Sequence, residues 1–178
     1  AGVASTLWGE AYGEEGASGS ESPHPRWIRI NTLKTQLEDQ LETTFAEFGR
    51  AGSIDGVRQR ESRCVFVDVH VPNLIAIPAF VDLSKSEAYT SGAIIFQDKA
   101  SCFPAYMLDP LPEDGDIIDT CAAPGNKTTH LAAILALHAP QIDDHAQTVH
   151  AFEKDKTRGE TLKKMVNLAG CENFTRVH

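Results

Sequence analysis

The sequence predicts an α/β protein in which a small α+β unit precedes the first part of a doubly wound parallel sheet. The main observation is that residues 116–170 run in the order strand, turn, helix, strand and helix, with which such a sheet begins. Residues 26–70 come before it and follow a strand–helix–strand order. A length of 178 residues suits one small domain and part of another.

The first unit begins at Pro25 with a predicted strand and helix. Trp27, Ile28 and Ile30 predict a short strand directly after the proline. A helix is expected next, because apolar residues recur at helical spacing until Gly49. The apolar stripe of this helix consists of Leu33, Leu37, Leu41, Phe45 and Phe48.

The remainder of the first half contains one clear strand and one short helix. Residues 63–70 are rich in β-branched and aromatic side chains, which predicts a second strand. Residues 71–96 are ambiguous, although the run at 93–96 is strand-like. A short helix is expected around Lys99–Leu108.

The second half alternates strands and helices more clearly. Residues 116–119 and 148–152 predict strands, and a turn of small residues at 120–127 follows the first of them. A helix is expected over 128–138, directly after this turn. A further helix follows the second strand and is expected to end at Gly170, since glycine commonly terminates helices.

The two ends of the chain carry different signals. Residues 1–25 contain four Glu and no Lys or Arg among many small residues, and we expect a flexible acidic leader there. Residues 174–178 resemble the approach to a third strand. Because the chain also lacks a starting Met, we expect an excerpt whose parallel sheet is cut short.

Composition excludes some classes of protein. No run of about 18 apolar residues occurs, which excludes a membrane-spanning helix. The four cysteines form no C-x-x-C pair and are typical of reduced intracellular thiols, and the seven histidines show no metal-ligand spacing, so no metal site is predicted. The net charge of −9 argues weakly against nucleic-acid binding, although four of these charges lie in the acidic leader.

The turn at 120–127 is the strongest candidate site. Ala122, Ala123 and Gly125 leave the backbone N–H groups at the start of the following helix open to a ligand. Glu153 follows the next strand, where an acid can accept hydrogen bonds from ribose hydroxyls. This pattern favours a cofactor with an adenosine group, either a nicotinamide cofactor or S-adenosylmethionine. The alternative is a strand–helix corner beside an ordinary surface Glu.

Four segments resemble one family. Residues 119–128 (DTCAAPGNKT) closely resemble motif I of the Sun/RsmB-type RNA cytosine-5 methyltransferases. Residues 29–34 (RINTLK), 96–102 (FQDKASC) and 151–158 (AFEKDKTR) agree in order and spacing. Most family members have Gly where Asn126 stands, and the Gly-Asn-Lys form is similar to the eukaryotic branch that methylates large-subunit ribosomal RNA. The resemblance covers about residues 26–178.

The resemblance implies a fold and three segments. It implies a partial Rossmann-like S-adenosylmethionine-dependent methyltransferase sheet, preceded by a small α+β domain similar to RNA-recognition domains. The expected boundaries are a leader at 1–25, the small domain at 26–92 and the truncated N-terminal part of the catalytic domain at 93–178. The implied partners are RNA, ribosomal RNA or a pre-ribosome, in the nucleus and nucleolus.

The resemblance also implies site residues. Glu153, where the family usually has Asp, would hold the ribose hydroxyls of S-adenosylmethionine, and Arg158 matches another cofactor position. The candidate RNA contacts are Arg26, Arg29 and Lys34. The candidate residues that wrap the cofactor are Cys121, Ala122, Ala123, Pro124, Gly125, Asn126 and Lys127.

The catalytic cysteines that the family implies are not expected in this segment. A Cys thiolate of the family adds to C6 of cytosine, and a second Cys helps to remove the C5 proton. In the family, both lie in Pro-Cys and Thr-Cys motifs beyond the third strand of the parallel sheet. This chain has no Pro-Cys pair, and its Thr120-Cys121 pair lies in the turn after the first strand of that sheet. Cys121 is assigned to the cofactor turn, and the other three cysteines are expected to be small buried apolar residues: Cys64, Cys102 and Cys171.

Two other functions remain open from the sequence. One is a nicotinamide-dependent domain, although a proline and a lysine stand where a pyrophosphate loop would prefer glycines. The other is a non-catalytic RNA-binding or ribosome-assembly module that retains the cofactor turn.

Overall fold

The structure is a computed structural model that describes residues 24–58, 63–138 and 147–178. All but the last two residues of the expected acidic leader therefore lie outside the described residues. Within the described ranges, no helix is both long enough and apolar enough to cross a membrane.

The first sheet has five strands in the order β2-β3-β4-β1-β5. Strand β1 pairs antiparallel with β4 and β5, β3 pairs antiparallel with β4, and β2 pairs parallel with β3. Ile28 and Ile30 of β1 are buried in the core of this sheet, as strand alternation requires. The strands are β1 Arg26–Ile30, β2 Gly49–Arg50, β3 Cys64–Val67, β4 Leu74–Ile77 and β5 Ile94–Phe96.

The helix expected up to Gly49 is shorter than predicted. Helix α1 spans only Leu37–Glu42, because the next residues leave helical geometry and Thr43 Oγ1 donates back to the carbonyl of Asp39 at 2.6 Å. Phe45 nevertheless lies fully buried in the core, so the apolar spacing predicted burial correctly and helix length wrongly. Two other short helices complete this unit, α2 Ile54–Arg58 and α3 Glu87–Thr90.

The second sheet is parallel throughout, with strands in the order β6-β7-β8. Its third strand confirms the strand expected near the end of the sequence. The helices begin close to the predicted positions, and Gly170 ends the last one with φ +72°. The elements are α4 Lys99–Leu108, β6 Ile117–Asp119, α5 Asn126–His138, β7 Val149–Ala151, α6 Lys156–Ala169 and β8 Thr175–Val177.

Helix α5 lies in the middle of the molecule. Every residue from 128 to 135 is buried, because the second sheet and α6 cover one side and α4 covers another. The fold is thus a mixed α/β arrangement in which a partial parallel sheet follows a mostly antiparallel one. The domain boundary expected after residue 92 stays a prediction, and strand β5, which follows it, pairs with β1 in the first sheet.

His130 of α5 makes the stability of the fold sensitive to acid. Its side chain is 7% exposed, and burial, followed by the charge of Arg29, lowers its pKa from 6.5 to about 3. The folded state therefore keeps His130 neutral, whereas the unfolded chain takes up a proton below pH 6.5. The free energy of unfolding is therefore unaffected by His130 above pH 6.5, and it decreases as the pH falls from 6.5 towards 3.

We expect the free energy of unfolding to fall by about 2 kcal/mol between pH 7 and pH 5 through His130 alone, at about 1.4 kcal/mol per pH unit. Urea titrations of the natural protein and of the His130→Leu variant at both pH values measure this contribution. The variant should lose about 2 kcal/mol less stability than the natural protein. If the free energy of unfolding fell equally in the two proteins, the claim that His130 is buried in its neutral form would be wrong.

Candidate functional site

The turn between β6 and α5 is held by hydrogen bonds from both sides. The N–H of Ala122 donates to the carbonyl of Phe152 at 3.1 Å, and the N–H of Phe152 donates to the carbonyl of Asp119 at 2.8 Å. The Asp119 carboxylate accepts from the Thr128 hydroxyl at 2.7 Å and from the N–H of Cys121 at 3.3 Å. These bonds fix the turn beside the end of β7.

Gly125 allows the turn to pack closely against α6. Its φ is +117°, a conformation that side chains with a Cβ rarely adopt. A Cβ at this position would lie 3.0 Å from the Cβ of Met165 and 3.1 Å from Cδ1 of Leu162. The glycine at position 125 is therefore required by a tight contact between the turn and α6. The peptide bond between Ala123 and Pro124 is cis.

Glu153 lies at the end of β7 with one oxygen free of hydrogen bonds. Oε1 accepts the N–H of Asp155 at 2.9 Å, whereas Oε2 is buried and accepts no hydrogen bond from any described residue. Arg158 Nη2 lies 3.5 Å from Oε2, too far for a good hydrogen bond, and donates to the carbonyl of Ala123 at 2.8 Å. The structure thus brings Glu153, Arg158 and the turn together, and it leaves a carboxylate oxygen that can accept from a ligand.

The other turn residues divide by exposure. Cys121, Pro124 and Lys127 are exposed, and Lys127 Nζ lies 3.4 Å from the Ser101 hydroxyl. Ala122 and Ala123 are buried and shape the turn through their backbones.

Asn126 reaches from the turn to the first sheet. Its Nδ2 donates to the carbonyl of Phe96 at 3.3 Å, and its buried Oδ1 has no hydrogen-bond partner among the described residues. A glycine at this position could not make the Phe96 contact. The Asn that stands in place of the family's usual Gly therefore adds a link between the start of α5 and the first sheet.

The three candidate RNA contacts differ in exposure, and one of them is buried. Arg26 donates to the carbonyl of Val81 at 3.0 Å, and the exposed Lys34 donates to the carbonyl of Ser91 at 2.7 Å. Arg29 is 1% exposed, so the RNA contact expected of it is wrong for this structure. The reason is strand alternation, which turns Arg29 toward α5 rather than toward solvent.

Three of the four cysteines are buried thiols, as expected. Cys64, Cys102 and Cys171 are each at most 6% exposed. Burial raises the pKa of Cys102 and of Cys171 to about 11, so both are protonated at neutral pH and are poor nucleophiles. Cys121 is exposed in the turn. In the part of the chain that the structure describes, no group of His, Cys, Asp and Glu side chains could hold a metal ion.

Sequence reasoning missed three residues that support the site. Asp119 and Thr128 hold the turn together, and both stand in the motif without having been assigned a role. Thr129 accepts from Arg29 at 2.9 Å. A carboxylate nine residues before a hydroxyl could have indicated the first pair, but no local signal pairs residues 29 and 129.

Both halves of the chain match family models. Residues 24–97 match the ferredoxin-like domain of NOL1/NOP2/Sun domain family member 5. Residues 105–178 match the 16S rRNA methyltransferase RsmB/F model. The two matches occur in chain order and correspond to the two sheets.

Curated relatives point the same way. The chain is 40% identical over 155 residues to the 25S rRNA (cytosine-C(5))-methyltransferase rcm1 of Schizosaccharomyces pombe, covering 86% of this chain and 31% of the relative. It is 38% identical over 155 residues to the 28S rRNA (cytosine-C(5))-methyltransferase of Mus musculus, covering 83% and 31%. The chain therefore spans about a third of the length of these relatives.

Solved structures agree in fold. A methyltransferase homologue from Pyrococcus horikoshii has a TM-score of 0.62 at 23% identity, covering 89% of this chain and 44% of that one. NSun6 from Pyrococcus horikoshii, solved with SFG, has a TM-score of 0.59 at 18% identity, covering 89% and 58%. These structures agree with the chain in fold. The two family models and the curated relatives show that the chain belongs to the Sun/RsmB-type family of RNA cytosine-5 methyltransferases.

Proposed function

We propose that the turn at 120–127 binds S-adenosylmethionine and that the chain forms the cofactor half of an enzyme that methylates C5 of cytosine in RNA. The observation that carries this proposal is the buried Glu153 Oε2, which has no hydrogen-bond partner and lies beside the turn. A buried carboxylate oxygen without a donor is costly unless a ligand supplies one. Vicinal ribose hydroxyls are donors of that kind.

The surrounding residues fit the rest of the cofactor. Arg158 holds the turn through the carbonyl of Ala123 and keeps Glu153 in place with its positive charge. Lys127 adds an exposed positive charge in the first turn of α5, where the helix N-terminus already favours a carboxylate. When bound, S-adenosylmethionine supplies the methyl group.

We place the catalytic thiolate outside these 178 residues. Cytosine C5 is a poor nucleophile until a thiolate adds to C6. Cys64, Cys102 and Cys171 are buried, and Cys121 lies in the cofactor turn. These positions, and the coverage of about a third of each relative, support a division in which this segment binds the cofactor.

We further propose large-subunit ribosomal RNA as the substrate. The support is the similarity to the fission-yeast and mouse relatives, which are 25S and 28S rRNA cytosine-C5 methyltransferases. Such a substrate implies a nucleolar location and contact with a pre-ribosome.

Isothermal titration of the complete protein with S-adenosylhomocysteine tests the cofactor site. We expect a dissociation constant within the common range for enzyme ligands, about 1 μM to 1 mM, and no heat of binding with NADH. Binding of NADH without S-adenosylhomocysteine would contradict the proposal. Binding of S-adenosylhomocysteine without methyl transfer to ribosomal RNA would instead favour a non-catalytic RNA-binding or ribosome-assembly module.

A further inference from the structure

The end of strand β1 contacts both helices that flank the candidate cofactor turn. Arg29 and Asn31 lie two residues apart, so they face the same side of the strand. Their exposed fractions are 1% and 0%. Ile28 and Ile30 point to the opposite side, into the core of the first sheet. The strand therefore presents two buried polar side chains to the second half of the molecule.

Arg29 is a buried cation with no acidic hydrogen-bond partner among the described residues. Its Nε donates to Gln97 Oε1 at 2.8 Å, and its Nη2 donates to Thr129 Oγ1 at 2.9 Å. Nη1 is buried and has no partner. Burial lowers the pKa of this guanidinium to about 10. An apolar side chain of similar length would avoid this desolvation cost, so stability alone does not account for Arg29.

The hydrogen bonds of Arg29 continue into the turn itself. The Thr129 hydroxyl, which accepts from Arg29, lies 3.2 Å from the carbonyl oxygen of Asn126 and donates to it. Asn126 is the first residue of α5 and part of the Gly-Asn-Lys segment. Its side chain donates to the carbonyl of Phe96 in the first sheet. Residue 126 is thus linked to the first sheet directly through its side-chain amide, and indirectly through its carbonyl oxygen by way of Thr129 and Arg29.

Asn31 holds the other helix. Its Nδ2 donates to the carbonyl of Gly92 at 2.8 Å and to the carbonyl of Ala169 at 2.9 Å. Ala169 is the last residue of α6, whose first turn carries Arg158. The start of α5 and the end of α6 are therefore both held by residues at the end of the first strand, Arg29 within β1 and Asn31 directly after it.

We propose that Arg29 is a positioning residue that holds the cofactor turn in its binding geometry through Thr129, so that the first domain sets the affinity of the second for S-adenosylmethionine. This inference rests on the cofactor site proposed above. Gln97 orients the guanidinium by accepting from Nε, and Thr129 accepts from Nη2. Thr129 in turn donates to the backbone carbonyl of Asn126.

Substitutions at Thr129 separate positioning from stability. Thr129→Val keeps the shape and removes the hydroxyl, whereas Thr129→Ser keeps the hydroxyl. In the complete protein, we expect Thr129→Val and Arg29→Met each to weaken S-adenosylhomocysteine binding by roughly 5- to 20-fold, and Thr129→Ser by less than about twofold. The double variant should bind about as weakly as the weaker single variant, because both act through one chain of hydrogen bonds.

Val65→Ala is the control, because Val65 is buried in the core of the first sheet, away from the cofactor turn. It should lower the melting temperature and leave the dissociation constant unchanged. If Arg29→Met does not fold, the positioning role is still tested by comparing the dissociation constants of Thr129→Val and Thr129→Ser. Unchanged binding by Thr129→Val would overturn the positioning role. If the natural protein does not bind S-adenosylhomocysteine, the cofactor site fails and this inference fails with it.

Discussion

Gly92→Ala is expected to destabilise the protein by about 2–5 kcal/mol. Gly92 has φ +76°, which costs a residue with a Cβ about 1–2 kcal/mol. A Cβ there would overlap the carbonyl oxygen of Leu168 and lie 2.9 Å from its carbonyl carbon, so α6 must move away from the first sheet. Such overpacking adds about 1–3 kcal/mol. Urea titration followed by circular dichroism measures the change in the free energy of unfolding. In thermal unfolding, we expect the melting temperature to be lower by roughly 5–15 °C.

Gly159→Ala is the matched control for this prediction. Gly159 lies in α6, and a Cβ there would meet nothing within 4 Å. Because alanine is a better helix former, we expect this variant to be as stable as the natural protein or up to about 1 kcal/mol more stable. Similar stabilities for the two variants would contradict the close contact between Gly92 and α6.

Glu153→Gln is expected to weaken S-adenosylhomocysteine binding by roughly 10- to 150-fold. The substitution keeps the size of the side chain and removes the negative charge that we propose accepts hydrogen bonds from the ribose hydroxyls. Hydrogen bonds to charged groups are worth about 1.5–3 kcal/mol each, which corresponds to that range. The amide would also place a donor near the Arg158 guanidinium, which lies 3.5 Å from Oε2 in the natural protein. Isothermal titration of the complete protein measures the effect.

Glu160→Gln controls for loss of negative charge on the same part of the chain. Glu160 lies on the exposed face of α6, where it forms an ion pair with Lys163 one helical turn away at 3.0 Å. We expect its dissociation constant to match that of the natural protein. Glu153→Asp, the residue usual in the family, should retain most of the affinity. Equal binding by Glu153→Gln and Glu160→Gln would remove Glu153 from the cofactor site.

The second half of the fold was predictable because its signals are local. The turn at 120–127, the two helices and the strands beside them follow from spacing and from small residues, and Gly170 ends α6 as expected. Glu153 and the turn could also be paired in advance, since the ends of adjacent parallel strands meet at one edge of a sheet.

The first half was predicted less well because packing overrides spacing there. The apolar residues up to Phe48 suggested one helix, but α1 ends at Glu42 and the chain turns while Phe45 stays buried. Strand β2 and helix α2 lie between the predicted helix and the predicted strand at 63–70, where no element was expected. Short elements of this kind form only against a neighbouring strand, here β3.

By itself, the sequence determined the family, the order of the elements in the parallel sheet and the small-residue turn beside an acid. Only the tertiary structure decided that Arg29 is buried and which side chains it binds. Its partners Gln97 and Thr129 are 68 and 100 residues away, and no local pattern distinguishes a buried guanidinium from an exposed one. Burial depends on which face of β1 another helix covers, and that is a property of the packed chain rather than of any segment.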